Sequence, residues 1–110
     1  MAKIQKSIDQ YYETIMRDIN LSVRIVVEGK EERTYVSRLV DWKGKELTFH
    51  APLVRGDYIR FIRDKIYTFI FITGNSTYMT SVEIIEFSKD NKNHFYYKAI
   101  IKSPLTRNQQ

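Results

Sequence analysis

Apolar residues change their spacing once along this chain, near Asn20. Before it, Ile4, Ile8, Tyr11, Tyr12, Ile15 and Ile19 recur three and four positions apart, which lines one face of a helix. Ser7, with Gln10 three places on, has the form of a capping box. The pattern predicts a helix over 1–20 whose apolar stripe packs on the body that follows. After Asn20 the period falls to two. "LSVRIVV" sets Leu21, Val23, Ile25 and Val27 against Ser22 and Arg24, and "LTFHA" sets Leu47, Phe49 and Ala51 against Thr48 and His50. Between them "TYVSRLVDW" reads as one strand, closed by the turn "KGKE".

Beyond Pro52, "DYIRFIR" reads as a further strand. "IYTFIF" is apolar on both faces, as expected for a strand covered on two sides. "MTSVEIIEF" and "HFYYKAIIK" flank the polar turn "SKDNKN". Glycines at 29, 44, 56 and 74 fall between the runs, where a chain turns or bends. One helix followed by about seven short strands with tight turns predicts a mainly β protein, a small antiparallel split β-barrel of Greek-key type with one N-terminal helix. Its expected core contains Leu21, Val23, Ile25, Val36, Val40, Leu47, Phe49, Ile59, Phe69, Phe71, Val82, Ile84 and Ile100.

Length and composition narrow the functional classes. The chain has 110 residues, room for one compact domain. It contains no cysteine, which removes disulfides, thiolate zinc sites and a cysteine nucleophile together. No apolar run reaches the roughly 18 to 20 residues of a membrane span, and the start has no signal-peptide core. A cytoplasmic protein without membrane insertion is the expectation. The net charge of +5 is spread along the chain, so it reads first as solubility and only second as a patch for an anionic partner.

Candidate chemistry is sparse. Two histidines, His50 and His94, stand at a strand face and a strand start, with no nucleophile or orienting partner at a suggestive spacing. Metal-ligand spacings are absent, and Asp57, Asp64 and Asp90 sit in turn contexts that aspartate favours for local hydrogen bonding. No catalytic and no metal-binding residue is therefore assigned, and the chain is not read as an enzyme. The alternative is a basic barrel binding single-stranded nucleic acid. "RGDYIRFIR" interleaves Arg55, Arg60 and Arg63 with Tyr58 and Phe61, and "HFYYK" adds Tyr96 and Tyr97. That alternation is also what a half-buried strand shows, and nucleic acid is held as the lesser reading.

The order of these segments resembles a known family. "TYVSRLVDW", "LTFHAPLVRG", "DYIRFIRDKIYTFIF" and "AIIKSPLTRNQQ" together are similar to the YcgR-like N-terminal domain, PilZN, which precedes a PilZ domain in bacterial cyclic-di-GMP receptors. The similarity runs from about Leu21 to Gln110. It implies a helix at 1–20, a split barrel over 21–103, and a linker starting at 104–110 that leads to a C-terminal PilZ domain of a longer protein. In that family an RxxxR motif at the junction and a (D/N)xSxxG motif grip the dinucleotide. Neither motif is present here. Arg33 and Arg38 are one place too far apart, Arg60 and Arg63 one too close, and Ile25 stands where the second motif needs glycine. The resemblance therefore implies no cofactor-binding residue within this chain, with Arg107 as the one candidate outlying junction residue. Cyclic-di-GMP is expected for the full-length protein. The implied function is regulatory: packing against PilZ, relaying second-messenger binding, with flagellar motor proteins as further partners.

Overall fold

A computed structural model describes residues 11–12, 14–17, 21–74 and 76–109 of the chain. Tyr11, Tyr12, Thr14, Ile15 and Met16 are helical, and Ile15 is wholly buried against the sheet. The rest of the expected helix, at 1–10, 13 and 18–20, lies outside the described residues. Tyr12 shows how the helix docks. Its hydroxyl donates to the Trp42 carbonyl at 3.1 Å, and its ring meets the Trp42 indole edge-on at 5.0 Å. Tyr11 leans on Tyr78, centroids 5.1 Å apart.

The remaining described elements are strands: β1 (Ser22–Val27), β2 (Arg33–Ser37), β3 (Leu39–Lys43), β4 (Glu46–His50), β5 (Leu53–Val54), β6 (Asp57–Tyr58), β7 (Ile66–Ile72), β8 (Ser76–Lys89), β9 (Phe95–Ile101) and β10 (Thr106–Gln109). Every pairing is antiparallel. The main sheet runs β2-β1-β7-β8-β9-β4-β3, with β10 added to β8, while β5 and β6 form a separate hairpin. The two terminal strands of that order, β2 and β3, are consecutive in sequence and separated only by Arg38. The sheet must curl for one residue to join its two edges, which produces the expected split barrel. The seam is held by the Ser37 hydroxyl donating to the His50 carbonyl at 2.5 Å and the His50 amide donating to the Arg38 carbonyl at 2.9 Å.

Aromatic side chains fill the interior. Trp42 stacks on Phe71 at 5.2 Å, and Phe49 packs edge-on against Phe69 at 4.8 Å. Each fully buried side chain of this size contributes about 1.5 to 3 kcal/mol.

Several sequence expectations are corrected. "TYVSRLVDW" is two strands, because the chain turns the corner at Arg38 and exchanges β1 for β4 as its partner. Val36 and Val40 lie at the surface instead of in the core. In β2 the inward positions are Tyr35 and Ser37, so Val36 faces out; in β3 the register shifts between Leu39 and Asp41, so Trp42 turns inward and Val40 does not. On β9 the buried phase is Tyr97, Ala99 and Ile101, which leaves Ile100 half-buried; Leu21 and Ile59 are also only half-buried. "DYIRFIR" pairs only at Asp57 and Tyr58. Its later amides are satisfied by side chains: Phe61 donates to the Tyr97 hydroxyl at 3.0 Å and Ile62 to the Tyr67 hydroxyl at 2.9 Å. Residues 104–110, expected to begin a linker, carry β10, which pairs with the start of β8.

Candidate functional site

β8 is the element on which the surface features are arranged. Its 14 residues span two neighbourhoods. Residues 76–83 lie between β7 on one side and β10 or β9 on the other, whereas beyond the register shift at Ile84/Glu86 only β9 continues alongside. Burial follows this change: Ser76, Tyr78, Thr80, Val82 and Ile84 point inward, while Glu86, Phe87 and Lys89 are exposed. The two ends of β8 are here the proximal end, at Ser76, and the distal end, at Lys89.

Arg107, the one candidate junction residue in the sequence, lies at the proximal end. It stands opposite Tyr78 in the β10–β8 register, and its Nε donates to the Ser76 hydroxyl at 3.0 Å. Ser76 is nearly buried, and its backbone closes a small loop with Thr73: Thr73 Oγ1 donates to the Ser76 carbonyl at 2.9 Å and accepts from the Ser76 amide at 3.1 Å. The Arg107 side chain is thus anchored through Nε, and no ion pair occupies its terminal nitrogens among the described residues. A guanidinium held this way can still present a fork to a phosphate or carboxylate. Between β9 and β10 the chain steps across Pro104, and buried Thr80 secures the step: its hydroxyl donates to the Ser103 carbonyl at 2.6 Å while the Ser81 amide donates to Ser103 Oγ at 2.9 Å. A shallow cavity of about 340 Å³ opens beside this step, lined in part by Thr68, Met79, Ser103, Pro104 and Thr106.

The two histidines meet at the distal end, which linear spacing did not indicate. The β4–β9 pairing sets His50 opposite Tyr96, ring centroids 5.0 Å apart. Tyr96 donates to Asp90 Oδ2 at 2.7 Å, and His94 Nδ1 lies 3.3 Å from the same oxygen. Asp90 Oδ1 accepts from the Lys92 and His94 amides at 2.8 and 2.9 Å. The His94 amide first, then the Tyr96 hydroxyl, holds the Asp90 carboxyl well below the ordinary carboxylate range. That same bond pushes the Tyr96 hydroxyl up. Burial, then Arg38 and then His94, lowers the His50 imidazole from its usual 6.5. A carboxylate saturated by four local donors locks the turn at Asp90–Asn93, where Asn93 adopts φ 64°, and has little accepting capacity left for chemistry. Ser88 is the next hydroxyl along this row, but Tyr96 stands between it and His50 in the ladder. Two strand spacings, about 9 to 10 Å, separate imidazole and hydroxyl, too far for a nucleophile–base pair. Among the described residues no group of His, Asp or Glu converges to hold a metal, and no helix is long and apolar enough to cross a membrane.

The residues of the nucleic-acid alternative are divided by the fold. Phe61 and Tyr97 are core side chains, while Arg55, Arg60, Arg63 and Tyr58 remain at the surface.

Comparison with known proteins bears on the whole chain. The PilZNR family, described as "Flagellar protein YcgR", matches residues 18–98. Comparison with curated proteins gives no match. Among solved structures, the "Structure of K. pneumonia MrkH-c-di-GMP complex" superposes with a TM-score of 0.68 at 10% sequence identity, covering 100% of this chain and 43% of that chain. At that identity the likeness is one of fold.

Proposed function

The chain belongs to the PilZNR family of YcgR-type domains, and from that premise we propose that it is a regulatory domain of a bacterial cyclic-di-GMP receptor, working in the cytoplasm beside a PilZ domain. The observation that carries the reading is the family match over residues 18–98, joined to a fold shared over its full length with a protein solved in complex with c-di-GMP. In this reading the domain is not an enzyme. It transmits: the dinucleotide binds at a junction with PilZ, β10 carries the strain or ordering of that junction into β8, and the orientation of the two domains changes. Such a change requires the ligand to bind the two arrangements with different affinity. Arg107, pinned at Nε to Ser76 and otherwise free of ion pairs among the described residues, is the residue of this chain placed to contribute from the junction side. Control of flagellar motility is the output proposed from the family description.

Titration calorimetry with cyclic-di-GMP tests the reading on residues 1–110 and on a protein extended through a PilZ domain. The extended protein binds and 1–110 alone does not, because one exposed arginine contributes only about 0 to 1 kcal/mol to an anion contact. Binding by 1–110 at micromolar or tighter strength would show a site within this domain and end the proposal of a docking module.

A further inference from the structure

The distal end of β8 carries a second surface that the dinucleotide reading does not use. Phe87 is 46% exposed and stacks in near-parallel fashion on Phe95, 5.3 Å and 7° apart. Phe95 in turn meets Tyr58 at 4.5 Å, and Tyr58 stands opposite Leu53 in the β5–β6 hairpin. Leu53, at 57% exposure, and Val54 extend the ledge to the hairpin tip. Beside Phe87 a cavity of about 360 Å³ reaches down to Phe61 and Tyr97, with Arg63 on its wall. A continuous exposed run of large apolar side chains of this kind marks an interaction site more often than scattered surface residues do.

Charge around the ledge is unpaired. Among the described residues Arg55, Arg60 and Arg63 make no ion pair, although Asp57 and Glu86 lie in the same neighbourhood. Arg55 is held at φ 52° beside Gly56 at φ 86°, a left-handed conformation that a long side chain adopts only against a steric preference. The hairpin therefore places a free guanidinium at its tip.

The ledge also lies away from the route towards a second domain. β10 pairs with residues 76–79 and runs from Met79 towards Ser76, away from Phe87. At about 3.3 Å per residue, Ser76 and Phe87 are separated by roughly 30 Å of strand. A domain reached through β10 is directed to the proximal end.

We propose that the Leu53–Tyr58–Phe95–Phe87 ledge docks a net-acidic segment of another protein, with Leu or Phe anchors seated on the aromatic run and carboxylates facing Arg55, Arg60 and Arg63. A protein segment fits better than a nucleic acid. The ledge is half aliphatic, and Leu53 and Val54 offer no stacking face to a base. Phe87 and Phe95 already use one face on each other, and Asp57 and Glu86 repel a continuous phosphate backbone while a peptide can match them with its own cations.

The test uses the full chain and a fluorescent synthetic peptide rich in Glu with Leu and Phe anchors, read by anisotropy and by amide shift mapping. Its counterpart has every Glu replaced by Lys, and labelled poly-dT forms the third arm. The acidic peptide binds, with shift changes centred on Tyr58, Phe87 and Phe95, and the Lys peptide binds at least about tenfold more weakly. Arg63→Glu and Phe87→Ser, both at exposed positions, each weaken the acidic peptide by about tenfold while the spectrum of the core stays unchanged. Equal binding of the Lys peptide, undiminished binding to either variant, no binding of the acidic peptide, or tighter binding of poly-dT would each overturn the proposal. The outcome is independent of cyclic-di-GMP, so failure of the junction reading and failure of this one are told apart.

Discussion

The proximal and distal ends of β8 belong to one strand and differ in almost every physical respect. At the proximal end, β7 and β10 flank the backbone on both sides, and Tyr78 is packed beneath the helix. Polar groups there are buried and paired: Thr80 with Ser103, Ser76 with Thr73 and Arg107. At the distal end β7 no longer accompanies the strand, a register shift reorients the side chains, and aromatic rings face solvent. Buried apolar and paired polar groups stabilise a fold, whereas exposed apolar groups contribute little to it and are available to a partner. The proximal end thus reads as architecture joined to a junction, and the distal end as surface.

Paired substitutions sharpen this contrast most directly. Tyr78→Ala should destabilise the domain by about 3 to 5 kcal/mol, as a large buried aromatic leaves a cavity. Phe87→Ala should cost under about 1 kcal/mol, since much of its ring is already in water. Urea unfolding measures both, and comparable losses would erase the distinction between the ends.

A smaller effect is expected from Thr80→Val. The change removes the donor to the buried Ser103 carbonyl while keeping shape, at about 1 to 2 kcal/mol. Hydrogen exchange should quicken in β10 and remain slow in β9, because the Thr80–Ser103 bond fixes the step between them. Uniform acceleration across both strands would show that β10 is not separately secured.

The distal end should answer to pH, and only mildly. His50 has its folded-state pKa lowered from 6.5 by burial, Arg38 and His94, so the unfolded chain binds the proton more readily. Its contribution to stability is complete above the unfolded value and declines as pH falls below about 6.5. The depressed Asp90 carboxyl acts in the same sense lower down: its contribution is present above the unfolded value of 3.8 and is lost as pH falls through the folded value. Thermal melts of His50→Gln should lack the shallow decline below pH 6.5 while keeping the acid limb, and Asp90→Asn should do the reverse. An unchanged upper limb in His50→Gln would assign that titration elsewhere.

Much of the architecture was legible along the chain. Two-residue alternation located β1, β4 and β7, because one face of each is buried and the other is not. The three-and-four spacing of Tyr11, Tyr12 and Ile15 marked a helix face that does pack on the sheet. The lack of paired nucleophile and base was also visible, since it depends on residue types more than on placement. What the linear pattern could not carry was every choice made by a partner strand. Arg38 became a corner because β2 and β3 had to be the two edges of a curled sheet, and Val36 and Val40 lost their core positions with it. Ile100 and Ile101 are equally apolar, and only the register of β9 against β4 and β8 chose the second for the interior. His50 and His94 are 44 positions apart, and the cross-strand pair with Tyr96 brings them to one carboxylate. Side-chain period is local chemistry, whereas phase, corners and neighbours are set by hydrogen-bonded register, and register exists only once distant strands have met.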